Sequence, residues 1–261
     1  MKQKRRVHIL VKAYPQPSQK HEETVCCAGL TEEGEFVRLY PIRYRRLKAD
    51  ARFDRFDLVE VEGERPRDDH RPESFHVDED SIKIVSRGAK LKPEAKVKLW
   101  LPLVSQSLPV LRQANDKEHV SLGIVRPESV RFSWNSTDKS TKDDQAIGNA
   151  LFQQQSSLLE DPLKPLILPE YAFYYAYESG GVKSKGQIHD WEVQATYQNY
   201  KRLYGKDVLT KMTEVYQRTL PASNLHLILG TMKAHPKQFI IIGLLRSKVD
   251  IDGLSAQGDL F

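Results

Sequence analysis

Glu23-Thr24-Val25-Cys26-Cys27-Ala28-Gly29-Leu30, then Thr31-Glu32-Glu33-Gly34, then Glu35-Phe36-Val37-Arg38-Leu39-Tyr40 is the stretch from which the fold is read. Two largely apolar runs flank four polar residues that close on a glycine. Glycine enters left-handed backbone at no steric cost, so a short polar loop ending in glycine predicts a β-hairpin. Upstream, Val7 to Ala13 is a short apolar run followed by a loop at Pro15-Gln16-Pro17-Ser18. Downstream, Asp57 to Gly63 sets Leu58, Glu60 and Glu62 against Val59 and Val61, the period-two pattern of a half-buried strand, and Ser81 to Ser86 repeats it. Short strands at this spacing predict a small barrel or a strongly curved sheet.

The second half mixes periods. Residues 93–118 read as helical, Ser121 to Ser136 as strand and Asp143 to Ser157 as helix. Pro162, Pro165 and Pro169 then rule out a regular element, because proline lacks the amide proton that helices and sheets both need. Tyr171 to Glu178 is an aromatic strand, and Ser179 to Gly186 reads as a Gly/Lys/Ser loop. From Asp190 to Tyr204 the apolar residues Val193, Tyr197, Tyr200, Leu203 and Tyr204 fall at helical spacing. Gly205 suits the stop of that helix and Asp207 the cap of the next, which carries Val208, Met212, Val215 and Tyr216. Leu225 to Gly230 and Phe239 to Leu245 read as buried strands. The expectation is an α+β protein: a β-rich, barrel-like N-terminal domain over 1–136, a helical and proline-rich connector over 137–170, an α+β sheet-plus-helices domain over 171–247, and a flexible tail over 248–261.

Composition narrows the function classes. The longest apolar run, Phe239 to Leu245, falls far short of the ~18 residues that span a membrane. Met1 to Arg6 is basic, but the apolar stretch after it is interrupted by His8 and soon meets Lys12 and Pro15, which predicts no export. The two cysteines are adjacent, and no CxxC pair exists to build a zinc site. Together these predict a cytoplasmic protein. The net charge is +5. Residues 1–56 hold 13 Lys/Arg against 7 Asp/Glu, and residues 57–80 hold 3 against 10. A basic block followed by an acidic one fits a polyanion partner or two surfaces that neutralise each other.

Three segments carry candidate chemistry. In Arg38-Leu39-Tyr40-Pro41-Ile42-Arg43-Tyr44-Arg45-Arg46-Leu47-Lys48 cations alternate with tyrosines. Nucleic acid needs cations for phosphates and flat rings for bases, so Arg38, Tyr40, Arg43, Tyr44, Arg45, Arg46 and Lys48 are candidate contacts to DNA or RNA. The competing reading puts Leu39 and Tyr40 in the core and pairs the arginines with Asp68, Asp69 and Glu73. In His189-Asp190-Trp191-Glu192, an imidazole and two carboxylates within four residues offer a divalent-metal site or a general base, with His226 and His235 as further candidates. Against this, Asp190 is well placed as a helix cap and Glu192 suits the helix dipole. Asp68-Asp69-His70-Arg71-Pro72-Glu73, with His76, Asp78, Glu79 and Asp80, has ligand chemistry without a metal-site spacing and reads as an exposed acidic loop.

The third segment is Gln257-Gly258-Asp259-Leu260-Phe261. It resembles the bacterial sliding-clamp-binding pentapeptide, Gln-Leu-Ser/Asp-Leu-Phe, at four of five positions, with Gly258 in place of the leucine. The resemblance covers these five residues alone and implies that Gln257, Asp259, Leu260 and Phe261 dock on a clamp, two apolar anchors beside one glutamine hydrogen bond. Asp252-Gly253 and Ser255-Ala256 would supply a leash. The combined expectation is a DNA-associated accessory factor recruited to replication or repair sites by the clamp. The alternatives are a clamp-tethered, metal-dependent nuclease or other DNA-processing enzyme, and a protein-interaction module without nucleic-acid contact.

Overall fold

The computed structural model describes residues 2–18, 22–137, 166–251 and 253. The N-terminal half carries β1 (Gln3–Lys12), β2 (Gln16–Ser18), β3 (Glu22–Thr31), β4 (Phe36–Ile42), β5 (Leu58–Glu64) and β6 (Ser74–Ser86), followed by helix α1 (Pro93–Trp100). The β3–β4 hairpin forms as expected, with Gly34 at φ 83 in its turn.

The strand order is β1-β5-β6-β4-β3-β2, with β1 also paired to β3, so the ladder of pairings runs round in a ring. Every pairing is antiparallel except the short seam between β4 and β6, where Arg38, Leu39 and Tyr40 face Ser74, Phe75 and His76. β1 is the shared strand: Gln3 to His8 pair with β5, and Val7 to Lys12 pair with β3. A register shift between Ile9 and Val11 re-aims its side chains. Val7 and Ile9 fill the interior of the ring with Val25, Cys27, Leu39, Phe53, Val61 and Phe75. Leu10 and Val11 point the other way, into a second core.

That second core joins the two halves. After α1 come β7 (Val104–Ser105), α2 (Leu108–Glu118), β8 (Leu122–Val125) and β9 (Ser129–Ser136). Beyond the undescribed stretch lie β10 (Tyr171–Ser179), β11 (Val182–Gln187), α3 (Trp191–Tyr204), α4 (Val208–Thr213), a π-helical turn (Glu214–Thr219), β12 (His226–Met232) and β13 (His235–Leu245). These strands make a four-stranded sheet, β13-β12-β8-β7, and a three-stranded sheet, β11-β10-β9. Leu10, Val11, Ala28 and Leu30 of the ring pack with Trp100, Leu122, Ile124, Ile228, Ile242 and Leu245. A Cβ on Gly243 would lie 2.7 Å from Val11 Cγ2, so glycine is what lets β13 approach β1 this closely. A third core under the three-stranded sheet gathers Phe132, Phe173, Tyr175, Val193, Tyr197, Met212 and Tyr216.

The α+β class holds, with a β-rich N-terminal sheet and a C-terminal unit of sheets plus helices. The division expected at residue 136 does not match the pairing: β9 bonds to β10, and β8, with β7 beside it, bonds to β12, so the strand partnership changes near residue 103. Ser179 to Gly186 is not a loop. Gly180 and Gly181, both at positive φ, make a tight turn, and β11 begins at Val182. Residues 93–118 are two helices separated by β7 rather than one helical stretch. The acidic stretch 68–80 is not simply exposed. Asp69 is gripped by Arg71 and Ser74, and the buried Glu73 accepts from Ser121 N and Ser121 Oγ, each at 2.7 Å. The helix expected over Asp143 to Ser157 and the tail from Leu254 lie outside the described residues. Among the described residues no helix is long and apolar enough to cross a membrane.

Candidate functional site

His189, Asp190 and Glu192 come together with residues of the N-terminal half. β11 leads into Ile188, which bridges Ile241, and His189 N donates to Ile241 O at 2.8 Å. Tyr14 N donates to His189 O at 2.9 Å, so the entry to α3 is stitched to both halves. Asp190 then caps α3 by accepting from Glu192 N at 3.0 Å through Oδ1. Its other oxygen accepts from Leu244 N at 3.0 Å and from Arg55 Nη2 at 2.8 Å. Asp190 is 1% exposed. Arg55 enters from the loop between β4 and β5, donates also to Leu244 O, and places Nε 3.1 Å from Glu192 Oε1. Burial works against the Arg55 charge, but Asp190 and Glu192 more than offset it and hold the guanidinium firmly protonated.

Beside this joint lies a cleft of about 320 Å³, lined by Lys12, Tyr44, Asp54, Arg55, Trp191, Glu192 and Ala195. Lys12 Nζ donates to Tyr44 Oη at 3.0 Å, Phe53 O at 2.9 Å and Asp54 Oδ1 at 3.2 Å. Trp191 stands edge-on to Tyr44 at 5.3 Å and to Tyr14 at 6.1 Å. His189 is held towards its neutral form by burial. The arrangement is a charged hinge pin with aromatic walls. Asp190 has both oxygens committed, and Glu192, exposed at the rim, is the one carboxylate of the expected trio left facing solvent. His226 is elsewhere, packed on Trp100 at 4.8 Å with Nδ1 3.0 Å from Asn224 O, and His235 is exposed at the start of β13. Among the described residues no group of three or more His, Cys, Asp or Glu side chains is placed to hold a metal.

The basic-aromatic segment is dispersed by the fold. Arg38 is buried at 5% exposure and donates to Ser121 O and Ser121 Oγ at 3.3 Å, joining the two halves. Arg43 donates to Glu79 at 2.6 and 2.9 Å, and Arg45 forks onto the buried Glu23 at 2.7 and 2.6 Å. The arginines do pair with acids, but not with those expected: Asp68 pairs with Lys233 and Asp69 with Arg71. Tyr44 lines the cleft, while Tyr40, at 45% exposure, and Lys48 face solvent. Lys12 and Arg55 were missed from the sequence, since neither sits in a patterned motif. Gln257, Asp259, Leu260 and Phe261 lie outside the described residues.

A two-part chain organised around such a joint is mirrored in the family models. One described as Domain of unknown function (DUF8758) matches residues 3–102, the ring and α1. Another, described as Domain of unknown function (DUF8757), matches residues 105–261, from β7 onward. The second match spans more than half the chain, and the protein belongs to that family. No curated protein matches the chain.

Proposed function

We propose that the protein is a cytoplasmic DNA-associated accessory factor, brought to replication or repair sites when Gln257, Asp259, Leu260 and Phe261 dock on the sliding clamp. The observation that favours a binding role over a clamp-tethered nuclease is the commitment of Asp190. A general base needs a free lone pair aimed at substrate, and a metal ligand needs carboxylate oxygens open to the ion. Asp190 spends one oxygen on the helix cap and the other on Arg55 and Leu244 N. The residues with the most catalytic look in the sequence are thereby used to join the halves. Recruitment rests on the four-of-five match to the clamp peptide, whose apolar pair suits a partner pocket.

The test is a pair of titrations on the full chain, one with purified sliding clamp and one with labelled DNA. The proposal expects both to bind, and a chain lacking residues 257–261 to keep DNA binding while losing the clamp. Equal clamp binding by both chains, or by neither, removes the recruitment. A chain that holds the clamp and no nucleic acid leaves the pure interaction module.

A further inference from the structure

The three-stranded sheet has one face packed on α3 and the π-helical turn, and the other left uncovered among the described residues. Cross-strand partners in an antiparallel ladder point to the same side. The register therefore assembles the open face row by row: Arg131, Ala176 and Lys185 in one row, Ser133, Tyr174 and Gln187 in the next, and Ser129, Glu178 and Lys183 in a third. Phe132, Phe173, Tyr175 and Tyr177 occupy the opposite, buried side. Arg131, Lys183 and Lys185 are exposed, and none of the three has an ion pair among the described residues. Glu178 is the one acid on these rows. At the centre stands Tyr174, flanked by Ser133, Ala172 and Ala176, side chains too small to hide a ring. The Lys185 ammonium lies over the Tyr174 ring, 4.9 Å from its centroid, a cation–π contact that an incoming base would share or displace.

We infer that this face, carried by Arg131, Tyr174, Lys183 and Lys185, is a binding site for single-stranded nucleic acid. The inference rests on the nucleic-acid role proposed above and gives it a location. Cations that neutralise phosphates must be free to exchange small counterions for the strand. Arg43 and Arg45, in the segment the sequence favoured, are already held by Glu79 and Glu23, whereas Arg131, Lys183 and Lys185 have no carboxylate partner among the described residues. A ring on an open sheet stacks with an unpaired base, which a duplex does not present. Three strands span only about 10 Å, a width suited to one strand laid across the sheet.

Fluorescence anisotropy on the full chain tests the site, using labelled oligothymidylate, oligouridylate and a hairpin duplex over a range of salt. Wild type should bind the single strands more tightly than the duplex. DNA and RNA both rely on the same phosphates and base faces, and the two single-stranded probes rank them. R131A/K183A/K185A should lower the log–log salt slope by roughly 0.7 per lost contact, about 2 in all. Y174A should weaken binding roughly tenfold with the slope unchanged. All four side chains face away from the core, and circular dichroism melts check that the variants stay folded. Unchanged binding by both variants overturns the site. So does R43A/R45A losing binding while the sheet variants keep it. Duplex bound as well as single strand, with Y174A silent, overturns the single-strand assignment. A wild type that binds no oligonucleotide at all defeats the nucleic-acid role itself, a different result from an intact affinity that these residues do not carry.

Discussion

Arg55 Nη2 lies 2.8 Å from Asp190 Oδ2, a contact across 135 positions of sequence that pins the ring-forming half of the chain to the first turn of α3. Both side chains are largely out of water, at 15% and 2% exposure. An ion pair in such a place contributes little over a well-packed apolar pair, but breaking it strands a charge.

Asp190→Asn is therefore expected to destabilise the protein by about 3 kcal/mol, since asparagine can still cap the helix but cannot balance Arg55. Glu192→Gln should cost under about 1 kcal/mol, because Glu192 is 58% exposed and its attraction to Arg55 is screened. Urea denaturation of both variants measures the difference. Equal and small effects would detach Asp190 from the joint, and a folded D190N that lost a nuclease activity would restore the catalytic reading.

The ring makes a second demand. A Cβ on Gly63 would lie 2.2 Å from His76 O, and one on Gly29 would lie 2.3 Å from His8 O. These glycines sit where β5 meets β6 and where β3 meets β1. Gly63→Ala and Gly29→Ala should each cost roughly 1–3 kcal/mol or more, since the nearest atoms are backbone and cannot swing aside. Gly34→Ala, with open space around its Cβ, should lose only the left-handed preference, about 1 kcal/mol. A Gly34→Ala midpoint below those of Gly63→Ala and Gly29→Ala would contradict the closed pairing.

What the sequence made legible was local. The β3–β4 hairpin was readable because Gly34 and its polar neighbours sit between two apolar runs, and the start of α3 was readable because Asp190 is a capping residue followed by helical spacing. What it hid was partnership at long range. Nothing near Val7 says that β1 pairs on both sides, and nothing near Arg38 says that its guanidinium is swallowed by Ser121. β11 was missed because its alternation, Val182, Ser184 and Gly186 against Lys183 and Lys185, has almost no apolar contrast. The candidate cations between Arg38 and Arg45 were chosen by composition, which cannot reveal that Glu23 and Glu79 would claim two of them.

Arg45 and Glu23 make that last point measurable. Glu23 is 2% exposed, and Arg45 is its forked partner. Arg45→Ala should destabilise by about 3–5 kcal/mol, the penalty for leaving a buried carboxylate unpaired. Glu23→Gln with Arg45→Met should recover most of that loss. If Arg45→Ala instead leaves the melting temperature unchanged and abolishes DNA binding, the arginine serves phosphate and not Glu23.

Acid should weaken the protein before its carboxylates titrate. Burial holds both His189 and His226 below the ordinary histidine value, with Asn224 O partly opposing the shift at His226. The unfolded chain therefore takes up protons first as pH falls. The stability these two contribute is intact above about pH 6.5 and is lost progressively below it, as pH moves through their depressed folded values. A further loss is expected in strong acid. Burial resists the charge on Asp69, but Arg71 and Ser74 overcome it and hold the carboxyl well below its usual range, so its contribution is present above about pH 4 and lost beneath. Urea midpoints at pH 7.5, 6.5 and 5.5 should fall in that order, and His226→Gln should flatten part of the decline. A midpoint that rises between pH 7.5 and 5.5 would reverse the assignment.

The clamp peptide gives the sharpest ranking. Burying the side chain of Leu260 or Phe261 contributes about 1.5–3 kcal/mol, and a hydrogen bond from Gln257 adds about 0.5–1.5 kcal/mol. Ordering the peptide opposes both, at about 1–2 kcal/mol per residue of backbone, so the proposed clamp contact of the isolated peptide is expected to be micromolar in class. Leu260→Ala and Phe261→Ala should then each weaken clamp binding by roughly ten- to a hundredfold, Gln257→Ala by roughly threefold to tenfold, and Gly258→Ala least of all. Gly258→Leu restores the residue that the clamp peptide prefers and should tighten binding. Calorimetry with purified clamp separates the five variants, and adding DNA threaded through the clamp should raise the apparent affinity of the full chain above that of the peptide, because a second linked contact raises the effective concentration of the first. A flat series across Gln257, Gly258, Leu260 and Phe261 would mean that the body of the protein, and not this peptide, meets the clamp.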